Sequence, residues 1–124
     1  MTTDDYIKAA TALERTTYEQ LPISTRMLHG IVGIATEAGE LLDAAKKRMF
    51  YGAPLDAVNL VEEIGDVLWY MAILCDELDV TFEMVMETNI NKLHKRYKKG
   101  KFSKSAAMNR NLPAEREVLE QSAQ

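Results

Sequence analysis

The stretch Leu60-Val61-Glu62-Glu63-Ile64-Gly65-Asp66-Val67-Leu68-Trp69-Tyr70-Met71-Ala72-Ile73-Leu74-Cys75 decides the fold. It holds no proline and no strand-like alternation. Leu60, Val67 and Leu74 fall on one side of a helix, and Ile64, Leu68, Met71 and Cys75 on another. A helix that is apolar nearly all round is buried from several directions. A helix over 55–78 is therefore expected to be a central helix, a subunit interface, or both. Glu63 and Asp66 break the pattern. They share a side with Asn59, Val67, Tyr70 and Leu74, where unpaired carboxylates cost several kcal/mol or shift their pKa upward. Something must compensate them.

Upstream, Met27, Ile31, Ile34, Ala35, Ala38, Leu42 and Ala45 form an apolar stripe. It predicts a helix from Ser24 or Thr25 to about Arg48, with Lys46, Lys47 and Arg48 suited to its C-terminus. Glu37 and Glu40 stand three apart at the edge of that stripe. The turn after it runs through Gly52, an expected positive-φ position, to Pro54, an expected helix-start proline. A first helix is expected over Asp4 to Glu19, capped by Thr2 or Thr3 and ended by Pro22. A fourth runs from Thr81, its cap, to about Lys98. The polar remainder holds a short helix from Pro113 to about Glu120. The expected architecture is all-α, a four-to-five-helix bundle in one domain over 1–124.

With 47% hydrophobic residues the chain can build a core, and its net charge of −4 argues against a binder of nucleic-acid polymers. The lone Cys75 allows no internal disulfide and fits a small core residue in a reducing compartment. The N-terminus lacks the basic and apolar regions of a signal peptide, and the apolar run Val67 to Cys75 is too short to span a membrane. A cytoplasmic protein without a membrane partner is expected.

Residues three apart on a helix share a face. Glu37 with Glu40 and Glu63 with Asp66, on two packed helices, would gather four acids in one small volume. Four close negative charges call for cations. Carboxylate oxygens suit a hard divalent ion, Mg2+ first and Mn2+ as a substitute, holding a phosphate substrate. A solvated acidic face is the ordinary reading of one such pair, less so of two on helices this apolar. A di-iron bundle needs Glu-x-x-His pairs. Neither His29 nor His94 follows a glutamate by three, which counts against redox iron. On the fourth helix Asn89, Lys92 and Arg96 share a face suited to phosphate oxygens, although Arg96 and Tyr97 would also serve as packing. Phe50, Tyr51 and Trp69 are candidates to stack on a base, with Trp69 more at home in the core.

Three stretches carry a resemblance: Thr36-Glu-Ala-Gly-Glu-Leu-Leu42, Leu60 to Tyr70, and Asn89-Ile-Asn-Lys-Leu-His-Lys-Arg-Tyr97. In order and spacing they are similar to the E-x-x-E, E-x-x-D and N-x-x-K-L-x-x-R-Y signatures of the all-α nucleoside triphosphate pyrophosphohydrolases. Within these the chain resembles the MazG-like branch, as a stand-alone or phage-type member. The ending Asn109-Arg-Asn-Leu-Pro-Ala-Glu-Arg116 resembles that of single-domain members, so the likeness covers about 31–116.

The resemblance implies a homodimer or dimer of dimers with active sites near subunit contacts. It implies Mg2+ on Glu37, Glu40, Glu63 and Asp66, and hydrolysis of a nucleoside triphosphate to monophosphate and pyrophosphate. It implies that Asn89, Lys92, Arg96 and Tyr97 lie at the substrate. Many members carry a second glutamate where this chain has Thr36, which leaves the water-activating role to Glu37 or Glu40. Phosphoribosyl-ATP pyrophosphohydrolysis, alarmone hydrolysis and a non-catalytic helical interaction module are the alternatives.

Overall fold

The computed structural model describes residues 2–15, 17 and 22–122. They form six helices: α1 Thr3–Ala12, α2 Thr25–Tyr51, α3 Ala57–Glu77, α4 Phe82–Arg96, α5 Lys104–Met108 and α6 Leu112–Ser122. There is no strand among the described residues, so the all-α expectation is met.

Local chemistry sets the helix ends. Thr2 and Asp5 form a capping box at α1, each side chain accepting the other's backbone N–H. Ser24 caps α2, Asp56 caps α3, Thr81 caps α4 and Ser103 caps α5. Gly52 closes α2 at φ 67, the left-handed conformation expected of it. α3 closes in the same way through Asp79, whose φ of 54 lets Val80 N–H reach the Cys75 carbonyl at 2.9 Å.

Several boundaries differ from expectation. α1 stops at Ala12, and the expected segment through 16, 18 and 19 lies outside the described residues. The early stop coincides with Leu13 N–H turning back to the Ala10 carbonyl at 3.1 Å. Pro54 does not start α3: it precedes Asp56, whose carboxylate accepts from the N–H groups of Val58 and Asn59 and so fixes the helix start. α4 ends at Arg96, not Lys98, and the short α5 has no apolar period by which to be foreseen.

α2 and α3 pack as an antiparallel pair, and α4 packs on α6. Arg26, in the first turn of α2, pairs with Asp76 at 2.6 Å and Glu77 at 3.1 Å at the end of α3, and Ser24 donates to Glu77. The packed face of α2 keeps only Met27, Ile34 and Ala45 of the expected apolar stripe. Gly30 and Gly33 are its buried residues, flanked by half-buried Met27, Ile34, Glu37, Leu41 and Ala44. Ile31, Ala35, Ala38 and Leu42 are exposed. The glycines decide this. A Cβ on Gly33 would stand 2.2 Å from the Tyr70 ring, and one on Gly30 would stand 2.9 Å from Leu74, so α3 approaches where α2 has no side chains.

Among the described residues no apolar side chain is fully buried. α3 presents Asn59, Leu60, Glu63, Val67, Tyr70 and Leu74 to α2 and leaves Val58, Val61, Ile64, Leu68 and Trp69 exposed on its other sides. Trp69, expected in the core, is 57% exposed and touches Tyr70 edge-on at 4.8 Å. Cys75 is half-buried. Of the two roles expected for this helix, burial inside a single chain is not the one observed. Among the described residues no helix is long and apolar enough to cross a membrane.

Candidate metal and phosphate site

The close contact of Gly33 with Tyr70 fixes where the carboxylates meet. Glu37 lies one turn beyond Gly33 on α2, and Asp66 lies one turn before Tyr70 on α3. Because the helices run antiparallel, both turns fall at the same level. There Glu37, Glu63 and Asp66 each offer an oxygen, and these oxygens lie within 4.8 Å of one another. Glu37 and Glu63 are half-buried and Asp66 is exposed. Asn59, one turn before Glu63, donates its amide to Glu63 Oε1 at 2.9 Å and holds that carboxylate in place.

The electrostatics are those of an uncompensated cluster. Partial burial pushes the Glu37 carboxyl above its ordinary range, and the charges of Asp66, Glu63 and Glu40 push it further. No lysine or arginine forms an ion pair with these three acids among the described residues. A divalent ion would supply the missing charge, and the all-oxygen donor set suits a hard one. The residues present therefore fit a metal of the Mg2+ or Mn2+ class.

Glu40, the fourth expected acid, is not part of this triad. It is exposed and lines a neighbouring cavity of about 220 Å³ with Asp43, Lys47, Asp56 and Asn59. Asp43 is held there by Lys47 at 2.6 Å, which keeps its carboxyl below the ordinary range. Asn59 lines this cavity and also bonds Glu63, so the two features are continuous.

The α4 residues lie elsewhere. Asn89 is exposed beside an apolar cavity lined by Val80, Met84, Val85 and Leu119, and Lys92 is half-buried. No hydrogen bond or ion pair joins Asn89, Lys92, Arg96 or Tyr97 to the four acids among the described residues. Arg96 is instead locked to Glu115 of α6 through Nε at 2.9 Å and Nη2 at 2.8 Å. Glu115 is only 3% exposed and also accepts from Arg110 Nη2 at 2.7 Å. The two guanidiniums, Arg96 first, lower the pKa of its carboxyl to about 2, and Glu115 raises that of the Arg96 guanidinium in return. Tyr97 caps α4 and lies 5.7 Å from the Phe102 ring.

Three residues with a part here escaped sequence reasoning. Asn59 was visible only as a neighbour on the face of Glu63. Glu115 and Arg110 sit in the Asn109–Arg116 ending, whose alternation of charges and amides gave no sign that one acid would be buried between two arginines.

Comparison with known proteins agrees with the motif spacing. The family described as the MazG nucleotide pyrophosphohydrolase domain matches residues 28–101, which include all four acids and the α4 residues. The Gene 37 protein of Mycobacterium phage L5 is 37% identical over 76 residues, covering 56% of this chain and 64% of that protein. The matched part thus falls short of two thirds of that relative's length. No solved structure matches the chain.

Proposed function

The chain belongs to the MazG nucleotide pyrophosphohydrolase family, and from that premise we propose that it hydrolyses nucleoside triphosphates, ribose or deoxyribose, to the monophosphate and pyrophosphate with Mg2+ as its metal and Mn2+ as a substitute. The observation that carries this reading is the convergence of Glu37, Glu63 and Asp66 within 4.8 Å at a half-buried level of the α2–α3 pair. The role that follows is control or cleansing of a nucleotide pool, in the cytoplasm of the cell that makes the protein.

Glu37, Glu63 and Asp66 would hold the metal, with Glu40 completing the set from the next turn. When bound, such an ion neutralises phosphate charge and acidifies water at neutral pH. The protein supplies the rest. Asn59 keeps Glu63 aimed at the site. With Thr36 preceding Glu37, the proton of the attacking water passes to Glu37 or Glu40, and the water attacks the α-phosphorus in line with the departing pyrophosphate. Asn89, Lys92 and Arg96 donate to the phosphate oxygens as charge builds there, with Tyr97 beside them.

These donors sit on α4, which packs on α6 and not extensively on the acidic pair. A second copy of the chain would bring them to the acids. The exposed apolar residues of α3, from Val58 to Trp69, are the surface on which such a copy would close. A homodimer or dimer of dimers follows from the same reading.

A panel of the common nucleoside and deoxynucleoside triphosphates, damaged nucleotides, alarmones and phosphoribosyl-ATP tests the proposal, with pyrophosphate and orthophosphate measured separately. Pyrophosphate with monophosphate from at least one triphosphate is expected in Mg2+. Orthophosphate alone, or no release even in Mn2+, would overturn it.

A further inference from the structure

One cavity lies apart from the acidic cluster. It measures about 320 Å³ between the end of α4 and the start of α6, and Lys95, Arg96, Lys98, Asn109, Arg110 and Asn111 line it beside buried Glu115. Its charge does not balance. Glu115 receives Nε and Nη2 of Arg96 and the same two groups of Arg110, so one carboxylate faces two guanidiniums. Lys95 and Lys98 add positive charge and have no ion-pair partner among the described residues. Arg110 Nη1 makes no hydrogen bond there either, and its side chain is 43% exposed.

A surplus of guanidinium and ammonium donors in a concave pocket selects a multiply charged oxyanion. Glu115 gives this pocket its rigidity: both arginines are held by two contacts each, so little side-chain freedom is lost when an anion arrives. The volume suits a small molecule, and the chain's net charge of −4 disfavours a nucleic-acid polymer. We propose that this cavity binds the polyphosphate chain of a nucleotide. The choice of a nucleotide rests on the function proposed above, with which the cavity shares only Arg96. The oxyanion preference rests on the cavity alone.

Calorimetric titration of the full chain with inorganic triphosphate, in EDTA so that no metal joins the anion to the acids, tests this. Wild type binds, and added salt weakens the binding. Arg110→Gln weakens it about tenfold, as expected for one lost charge-assisted hydrogen bond, while Glu63→Gln binds as wild type does. Lys98→Gln, at an exposed unpaired position, also weakens binding and decides the matter if Arg110→Gln does not fold. No binding by wild type in EDTA, or equal binding by both cavity variants, would overturn the inference. Nucleotide turnover without triphosphate binding would sink this site and leave the pyrophosphohydrolase reading standing; binding without turnover of any nucleotide would do the reverse. Competitive inhibition of hydrolysis by triphosphate identifies the substrate's own chain as the occupant, and any other inhibition pattern or activation identifies a second nucleotide.

Discussion

Replacing Gly33 by alanine should disturb both the α2–α3 contact and the acidic cluster, the proposed metal site, one turn away. The new Cβ would stand 2.2 Å from Cδ1 and Cε1 of Tyr70, whereas carbon atoms rest at about 3.5–4.0 Å. The helices must separate by more than roughly 1 Å, or the Tyr70 ring must leave its place against His29, whose ring meets it edge-on at 5.5 Å. Overpacking of this kind costs about 1–3 kcal/mol. Alanine in a helix recovers about 1 kcal/mol relative to glycine, so the variant alone is ambiguous. Gly39→Ala supplies the reference, because its Cβ would meet nothing within 4 Å on the same helix. The helix-propensity gain is common to both variants, and their difference isolates the steric cost. At equal protein concentration, Gly39→Ala should be more stable than wild type by about 0.5–1 kcal/mol and Gly33→Ala less stable than Gly39→Ala by about 1–3 kcal/mol in denaturant titrations. Gly33→Ala should also bind Mn2+ more weakly, since separation draws Glu37 away from Glu63 and Asp66. Equal stability and equal Mn2+ affinity in the two variants would refute the idea that this contact sets the carboxylate spacing.

Glu63→Gln should lose metal affinity and turnover while its far-ultraviolet circular dichroism stays helical, with metal-free stability equal to or above wild type because a like charge has gone; retained Mg2+-dependent turnover would contradict the site. Glu115 has its carboxyl lowered from 4.5 to about 2 by Arg96 and Arg110, so its contribution is fully present above pH 4.5 and is lost as the pH falls through about 2. The gap in Tm between wild type and Glu115→Gln should be widest near neutral pH and close on acidification; a gap independent of pH would contradict the ion triad. Sedimentation analysis should find an oligomer that Trp69→Glu dissociates, and a monomeric wild type at micromolar concentration would count against a second copy closing on α3. Gly52→Val should destabilise the end of α2 by about 1–2 kcal/mol, because φ 67 is strained for a β-branched residue.

The residues that made the fold legible were those with strong local chemistry. Ser24, Gly52 and Thr81 announced helix ends through capping preferences that need no tertiary context, and the apolar run from Leu60 to Cys75 announced a helix by its period. The face of α2 was misjudged because hydrophobic periodicity weighs side chains, whereas Gly30 and Gly33 pack by having none. The Ile31 and Leu42 stripe looked like the inner face for that reason. Glu37, Glu63 and Asp66 were legible as a group because three-residue spacing fixes a helix face, and packing two such faces together leaves little freedom. Glu40 shared the spacing yet stands outside the triad, exposed beside Asp43 and Lys47 in the neighbouring cavity. Glu115 was illegible: its burial depends on where α6 returns to α4, a long-range event with no local signal.

In the proposed function, water at the acidic cluster attacks the α-phosphorus. Hydrolysis of the best substrate in ¹⁸O-labelled water, followed by mass spectrometry of both products, tests it most directly. The label is expected in the nucleoside monophosphate and not in the pyrophosphate, with no turnover by Glu63→Gln. Label in pyrophosphate or in released orthophosphate would place the attack at another phosphorus and overturn the proposed function.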